Sequence, residues 1–360
     1  MNAGSKLAAA TEKPMIKPWS FEFLHAPAAE GGDVPGRTAT AAFDRGIALW
    51  KRMETLGFEG IFFSEHHFGL SYSPSPNLLI AAIAHSTARL RLGTMGVVLP
   101  LYQPWRVLEE IGMLDHLTAG RLEIGCASGV PQELIQAGIG PEESRDRFNE
   151  TLQILDAWLA EPMISHHGRY YNFDNLHIVP RPLQQPSPPK WTTVVSTASA
   201  TKSAARRSRI CTAFESVARI KEIFDAYRAE ADRLGIACSP DHLAIRRNVS
   251  VALSASEAKE RSQLAREIAE KILAGDPRVR RHTASLLDAP KSGTGFSVHA
   301  DEFIAGTPAE VAEQIIAQCR GCGAGHILAI LGRTVDEQRI QAVELFGEQV
   351  IPILRRAEIV

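Results

Sequence analysis

Cysteine is scarce in this sequence, with five residues among 360, an odd number scattered through the chain. This spacing is unlike the dense disulfide framework of small secreted proteins. We therefore expect reduced cysteines and a cytoplasmic protein. Cys319 and Cys322 have the spacing of a redox or metal motif, but they close a helical pattern and no second cysteine pair accompanies them. The sequence therefore predicts no metal site.

The chain also lacks a surplus of positive charge, since 39 basic residues face 41 acidic ones and the formal net charge is -2. Binding to phosphate backbones or anionic lipid surfaces depends on such a surplus. No apolar run approaches the length of a membrane span, and the first 20 residues contain no secretory apolar segment. We expect neither nucleic acid nor a membrane as a partner.

What the sequence does contain is a regular alternation of strand and helix patterns in a chain that is 45% hydrophobic. The predicted strands cover residues 21–24, 61–65, 90–98, 122–126, 192–196, 209–212, 245–253 and 327–331. Each is followed by a predicted helix, at residues 41–56, 77–85, 105–117, 144–160, 198–207, 217–234, 256–274 and 335–356. Eight such units are typical of an α/β (β/α)₈ TIM barrel. A doubly wound sheet stays open, because strand order cannot be read from sequence.

One domain is the economical interpretation, with two insertions. Residues 1–17 are predicted to be a flexible tail and residues 18–360 a single barrel domain. The first insertion, at about residues 161–190, is rich in aromatic and turn residues and predicts a hairpin. The second, residues 275–305, is rich in charge, Gly, Ser and Thr and predicts a long lid loop.

The main candidate for chemistry is Glu65-His66-His67-Phe68, which directly follows the apolar strand pattern of residues 60–63. In parallel α/β folds the catalytic groups gather at the carboxyl ends of the strands. A histidine also exchanges protons near neutral pH. An ordinary salt-bridged cluster remains the alternative at this stage.

Two further segments predict ligand contacts. Residues 195–201 form a hydroxyl-rich turn between strand and helix, where Ser196 and Thr197 could hold an anion or simply cap the helix. Arg145 and Arg147 start an earlier helix and could add positive charge or be solvated. The strand pattern of residues 90–98 contains glycines that would let a flat ligand approach the backbone, or that mark a plain bulge.

Taken together, these segments resemble the flavin-dependent luciferase-like monooxygenases. The resemblance covers nearly the whole chain in the expected order. It is carried by residues 57–58, 65–68, 93–100, 114–121, 144–145, 196–201 and 306–308. It implies the barrel, reduced FMN as a co-substrate, molecular oxygen, and a separate flavin reductase, and often a homodimer.

For the site, the resemblance implies that His66 is the acid/base near the flavin and oxygen, and that Glu65 and His67 orient or tune it. Met95 and Gly96 would form the backbone beneath the isoalloxazine ring, joined by a non-prolyl cis peptide. The remaining cofactor-binding residues implied in this way are Ser128, Gly129, Arg145, Ser196 and Thr197.

The sequence departs from the family pattern at two positions. Ser128 stands where the family tends to have an arginine near the flavin phosphate, and Ser196 stands where luciferase has an acidic residue. Because of these two differences, a flavin other than FMN, such as a deazaflavin, stays an alternative cofactor.

The resemblance predicts a monooxygenase that oxygenates a small apolar substrate, such as an aldehyde or ketone, through a flavin hydroperoxide. A deazaflavin-dependent dehydrogenase and a non-catalytic flavin-binding companion subunit are the alternatives.

Overall fold

The structure is a computed structural model that describes residues 15–26, 36–68, 71–274 and 298–359. Most of the predicted tail, residues 1–14, and most of the predicted lid, residues 275–297, lie outside the described residues. None of the helices in the described part of the chain is long and apolar enough to cross a membrane.

Eight parallel strands close into a barrel, as the sequence predicts. Around the ring they are β1 (Lys17–Glu22), β2 (Gly60–Phe63), β3 (Arg91–Thr94), β5 (Leu122–Ala127), β8 (Lys190–Thr193), β9 (Arg209–Thr212), β10 (Leu243–Val251) and β12 (His326–Ile330). The strand β12 pairs with β10 on one side and with β1 on the other, so the ring is complete. This closure excludes the doubly wound sheet.

Helices cover the outside of the barrel. They are α1 (Gly36–Thr55), α2 (Pro76–Ala84), α3 (Pro104–Leu117), α4 (Pro131–Gln136), α5 (Pro141–Ala160), α6 (Thr197–Ala205), α7 (Val217–Arg233), α8 (Ala255–Ala274), α9 (Pro308–Cys322), α10 (Glu337–Leu345) and α11 (Ile351–Leu354). The π-helix Phe346–Val350 joins the last two. The predicted last helix, residues 335–356, is therefore three shorter segments.

The core has two layers because barrel strands bury both faces. Side chains that point inward form one cluster, and those that point outward pack against the helices in a larger one. The inner cluster contains Trp19, Phe21, Phe23, Phe62, Met95, Trp191, Cys211, Ala244, Leu328 and Ile330. Trp19 and Phe21 of β1 and Phe23 directly after it supply three of its aromatic rings.

The first insertion is a hairpin, as predicted. Its strands β6 (Ile164–His167) and β7 (Asn172–Leu176) pair antiparallel outside the barrel. Glu150 of α5 anchors it, because this buried carboxylate accepts hydrogen bonds from the backbone N–H groups of Tyr170 at 3.2 Å and Tyr171 at 2.9 Å.

Two predicted elements are corrected. The strand predicted over residues 90–98 breaks at a cis Met95–Gly96 peptide into β3 and the short β4 (Val97–Val98). The lid predicted over residues 275–305 is wrong for its last part, where a 3₁₀ turn (Ala300–Glu302) leads into strand β11 (Phe303–Gly306) beside β10. Glu302 holds this segment in place, since its buried carboxylate accepts from Phe214 N at 2.7 Å.

Candidate active site

The predicted acidic and histidine residues lie at the carboxyl end of β2, and the first of them is a buried anchor. The Glu65 carboxylate accepts hydrogen bonds from Val98 N at 3.1 Å and from the Tyr102 hydroxyl at 3.0 Å. Burial, reinforced by the Glu65 charge, raises the pKa of Tyr102 well above its usual value, so the phenol stays a donor. Glu65 thereby joins β2 to the segment that follows β4.

His67 completes this anchor. Its Nε2 lies 2.8 Å from Glu65 Oε1, and this hydrogen bond raises the pKa of His67 against the opposing effect of burial. The imidazole is therefore more readily protonated than an ordinary histidine, and its charge is balanced by Glu65. His67 and Glu65 therefore form a charge-balanced pair at the end of β2.

His66 has a different environment. Its Nδ1 lies 2.9 Å from Glu133 Oε1, and its ring stacks on Phe23 with centroids 5.5 Å apart and planes 18° apart. A carboxylate can only accept, so the hydrogen-bonded Nδ1 carries a proton and Nε2 is left for exchange with a ligand. No residue that the structure describes hydrogen-bonds to this Nε2, and the side chain is 28% exposed.

The partner of His66 was missed by sequence reasoning. Glu133 belongs to α4, a six-residue helix that was not predicted, and its second oxygen accepts from His67 N at 3.2 Å. The sequence does contain a signal for the start of this helix, because Pro131 after Gly129 and an acidic residue in the first turn are typical of a helix N-terminus. Glu65, the expected orienting residue, makes its described hydrogen bonds to His67, Tyr102 and Val98 instead.

Met95 and Gly96 form a close-packed ledge between β3 and β5. Met95 belongs to the inner barrel cluster, and its N–H donates to Phe63 O at 2.8 Å. A Cβ at Gly96 would lie 2.6 Å from the carbonyl carbon of Cys126. Only glycine fits there, because the backbone at the cis Met95–Gly96 peptide packs directly against that of β5.

The hydroxyl-rich turn is a helix N-terminus with a capping box. The Ser196 side chain accepts from Ser199 N, and the Ser199 hydroxyl lies 3.2 Å from Ser196 N. The Ser196 side chain therefore caps the helix, which is one of the two roles that the sequence allows for it. The first N–H groups of a helix have no acceptor within it, so those of Thr197 and Ala198 can still donate to an anion.

Other predicted cofactor residues follow the neighbouring strand, β5. Ser128 and Arg145 are exposed, and the Ser144 hydroxyl donates to Ser128 O at 2.9 Å, which fixes the start of α5 against this loop. Gly129 has a positive φ of 89°, and a Cβ there would lie 2.7 Å from Val98 Cγ1. Gly129 is therefore explained by its tight turn. Arg147 pairs with Glu143 at 2.6 Å.

The opposite side of the barrel mouth holds cationic residues that the sequence did not single out. Arg333 lies over the Phe23 ring, 3.9 Å from its centroid, and Arg246 lies over the Phe214 ring at 4.3 Å. Burial, with the charges of Arg333 and His66, lowers the pKa of His25 to about 3. His25 is therefore neutral at physiological pH.

None of the five cysteine side chains belongs to the groups of candidate site residues described above. All five are free, and Cys319 and Cys322 are both buried. Burial raises the pKa of Cys322 to about 11 and that of Cys319 well above its usual value. Such thiols are poor nucleophiles and poor metal ligands.

Comparison with known protein families gives one extended match. A family model described as luciferase-like monooxygenase matches residues 23–325. An uncharacterized protein, y4wF, of Sinorhizobium fredii is 34% identical over 230 residues, which are 63% of this chain and 67% of that protein. The oxygenase component of a flavin-dependent trigonelline monooxygenase of Acinetobacter baylyi is 32% identical over 160 residues, 43% of this chain and 44% of that protein.

The alkanal monooxygenase alpha chain of Aliivibrio fischeri is 31% identical over 150 residues, which are 41% of this chain and 42% of that one. The alignments to the two named oxygenases thus span less than half of each relative.

Solved structures share the fold over almost the full chain. A monooxygenase, RslO1, of Streptomyces bottropensis superimposes with a TM-score of 0.77 at 23% identity, covering 93% of this chain and 99% of that one. The oxygenating constituent of 3,6-diketocamphane monooxygenase of Pseudomonas putida, in complex with FMN, gives a TM-score of 0.73 at 22% identity, with coverage of 94% and 98%.

Proposed function

Because the chain belongs to the luciferase-like monooxygenase family, we propose that it is the oxygenase component of a two-component flavin-dependent monooxygenase. It would take reduced FMN from a separate reductase and use molecular oxygen. The observation that carries this proposal is the environment of His66, which directly follows the second barrel strand, is held through Nδ1 by Glu133, stacks on the Phe23 ring and leaves Nε2 available.

The residues present fit a flavin mononucleotide. Met95 and Gly96 offer a close-packed backbone, with no side chain at Gly96, after the third barrel strand. The chemistry of the donors after the fifth strand suits a phosphate, since backbone N–H groups of a helix N-terminus lie beside the Ser196 and Thr197 hydroxyls. Arg145, exposed near the start of α5, would add a positive charge from the neighbouring unit.

When bound, reduced FMN would supply the two electrons with which one oxygen atom of O₂ enters the substrate and the other leaves as water. The protein's own contribution is proton handling and positioning. Glu133 would hold the His66 ring with Nε2 toward the reacting oxygen, and Nε2 would donate or accept the proton there. The Phe21, Phe23 and Met95 side chains would keep water away from this point.

The test needs no knowledge of the substrate. Reduced FMN is titrated into the protein without oxygen, and the complex is then mixed with oxygen in a stopped-flow instrument. We expect tight binding of reduced FMN by both the wild type and His66→Ala. The phase that ends in oxidised flavin requires proton transfer, so it should slow by about 100-fold in His66→Ala. Identical kinetics in both proteins would remove the proposed role of His66.

A deazaflavin-dependent dehydrogenase is the second candidate, and the exposed Ser128 in place of the family's arginine favours it. In that reaction His66 would act on a substrate hydroxyl while hydride is transferred. Oxygen consumption separates the two functions, because only the oxygenase couples flavin oxidation to the uptake of O₂.

We also propose that the protein is a cytoplasmic homodimer. Leu78, Trp105 and Met113 lie on the neighbouring helices α2 and α3 and are 70%, 41% and 50% exposed. Exposed apolar side chains of this size are common at protein interfaces. The mass of the particle measured by light scattering during size-exclusion chromatography would distinguish a dimer from a monomer.

A further inference from the structure

Two arginines at the barrel mouth have positive charges that the described residues do not balance. Arg246 is buried, with only 10% of its side chain exposed, and among the described residues it forms one ion pair, to Glu302 Oε1 at 3.3 Å. Its Nε has no hydrogen-bond partner in that part of the chain. Arg333 has no ion pair among the residues that the structure describes, and its guanidinium lies on the Phe23 ring at 3.9 Å.

Glu302 does not neutralise both cations. Its carboxylate also accepts from Asn248 Nδ2 at 3.0 Å and from Phe214 N at 2.7 Å, and it pairs with the fully buried Arg247 at 3.2 Å. Arg247 has no other carboxylate partner in the described structure, so one negative charge is shared by two buried guanidiniums. With Arg333 the group has three positive charges for one negative charge.

The two arginines face one region. Arg246 also lies over Phe21, 5.3 Å from the ring centroid, and the Phe21 and Phe23 rings are 5.1 Å apart. The guanidiniums therefore rest on adjacent rings, Phe21 of β1 and Phe23 just after it. Burial, followed by the proximity of Arg246, lowers the pKa of Arg333 to about 9, so Arg333 remains cationic at neutral pH.

This region is across the barrel from Met95 and Gly96. Met95 and Ser196 follow the third and fifth barrel strands, whereas Arg246 and Arg333 lie on and after the seventh and eighth. The third and seventh positions of an eight-stranded ring are diametrically opposed. His66 lies between the two regions, because its ring and the Arg333 guanidinium both contact Phe23.

We propose that Arg246 and Arg333 bind the carboxylate of the substrate, so that this site oxygenates an organic anion and not the neutral apolar molecule expected from sequence. This inference rests on the proposed function, because it takes the bound carboxylate to be part of the oxygenase's substrate. Arg246 is buried and Arg333 is half-buried. Guanidiniums packed on aromatic rings in this way are suited to a carboxylate, which they contact through paired N–H groups, and its charge offsets the cost of withdrawing theirs from water.

The test uses the full-length protein without flavin, and benzoate as the probe, with benzamide as its neutral counterpart. By isothermal titration calorimetry we expect benzoate to bind at least tenfold more tightly than benzamide. Arg333→Gln and Arg246→Gln should each weaken benzoate binding about tenfold or more and leave benzamide unchanged. Arg169→Gln, at an arginine whose side chain is 71% exposed, is the control and should bind both as wild type does.

The folded stability of Arg333→Gln separates binding from a structural role. A buried cation without a partner destabilises the fold, so removing it should leave the melting temperature equal or higher. Benzoate binding that survives in both glutamine variants would overturn the proposal. A marked fall in the melting temperature of Arg333→Gln would do so as well, because it would indicate a partner within the chain.

A second experiment tests whether the anion that Arg333 binds is the flavin phosphate and not the substrate carboxylate. Affinities for reduced FMN and reduced riboflavin are compared in wild type and Arg333→Gln. We expect the preference for FMN to be unchanged, and FMN binding to add to benzoate binding. A loss of that preference would assign Arg333 to the flavin phosphate and overturn the proposal. Because benzoate binding is measured without flavin or oxygen, its failure would leave the oxygenase function intact, and failure of flavin binding would leave the benzoate result intact.

Discussion

At the scale of single residues, two histidines adjacent in sequence have different structural roles because different carboxylates hold them. His67 is tied to the buried Glu65, whereas His66 is held by Glu133, 67 positions along the chain. A side chain that transfers protons needs one ring nitrogen fixed and the other available. Both histidines have one ring nitrogen fixed by a carboxylate, but the His66 side chain is the more exposed of the two, at 28% against 17%.

The first prediction concerns Glu133. Glu133→Gln keeps the size of the side chain but removes the charge that orients the His66 ring. We expect the slow, proton-dependent phase of flavin reoxidation to slow by about tenfold, a smaller effect than loss of the imidazole itself. Stopped-flow absorbance measures it.

The control for this experiment is Glu222→Gln, at an exposed residue of α7 that pairs with Arg219 at 2.5 Å. It should behave as the wild type does. If Glu133→Gln reoxidises flavin at the wild-type rate, the orienting role of Glu133 is refuted.

The second prediction concerns Gly96. In Gly96→Ala the new methyl group would lie 2.6 Å from a backbone carbon of Cys126, which cannot move without displacing β5. We expect a loss of about 1–3 kcal/mol in the free energy of unfolding and at least tenfold weaker binding of reduced FMN. Denaturant unfolding and anaerobic titration measure the two effects. Gly140→Ala, where nothing lies within 4 Å of the added Cβ, should change neither.

At the scale of elements, the sequence predicted the barrel because its strands are buried on both faces and its helices have clear starts and ends. The order of the eight units required no knowledge of long-range contacts. The strand β11 was missed, since Phe303–Gly306 is a four-residue segment next to a polar stretch. What makes it a strand is its pairing with β10, fixed by Glu302, and neither is visible locally.

The same limit applies to the site. Glu65, His66 and His67 could be found because they directly follow a predicted strand. Glu133, Arg246 and Arg333 could not be placed beside them, because their contacts to residues 66, 21 and 23 join distant parts of the chain. Strand ends predict where a site lies, but the pairing of side chains from different loops depends on packing.

The third prediction concerns the inserted hairpin. Glu150→Ala would leave the backbone N–H groups of Tyr170 and Tyr171 without their acceptor. We expect a loss of about 1–3 kcal/mol in the free energy of unfolding, and faster proteolysis between β6 and β7. Denaturant unfolding and limited proteolysis test it. Glu142→Ala, at an exposed position of the same helix, is the matched control. Proteolysis of Glu150→Ala at the control's rate would show that Glu150 does not anchor the hairpin.

At the scale of the whole molecule, the barrel is closed by a buried histidine at the seam between its last and first strands. His326 is 1% exposed and accepts from Trp19 Nε1 at 2.9 Å, while its Nε2 donates to Asp241 O at 3.1 Å. Both ring nitrogens are thus satisfied only in the neutral form. Burial, followed by the charges of Arg209 and Lys17, lowers the pKa of His326 to about 3.

The last prediction follows from this pKa. Between pH 6.5 and about 3 the unfolded chain takes up a proton at His326 that the folded protein does not, so acidification destabilises the fold over this range. The free energy of unfolding should fall by about 1.4 kcal/mol per pH unit from this residue.

A glutamine at position 326 can accept from Trp19 and donate to Asp241 O without titrating. His326→Gln should therefore lose less stability than wild type between pH 6 and pH 5, by about that amount. Denaturant unfolding at both pH values measures it, with the exposed His177→Gln as control. An equal acid sensitivity of His326→Gln and wild type would mean that the closure of the barrel does not depend on a neutral imidazole.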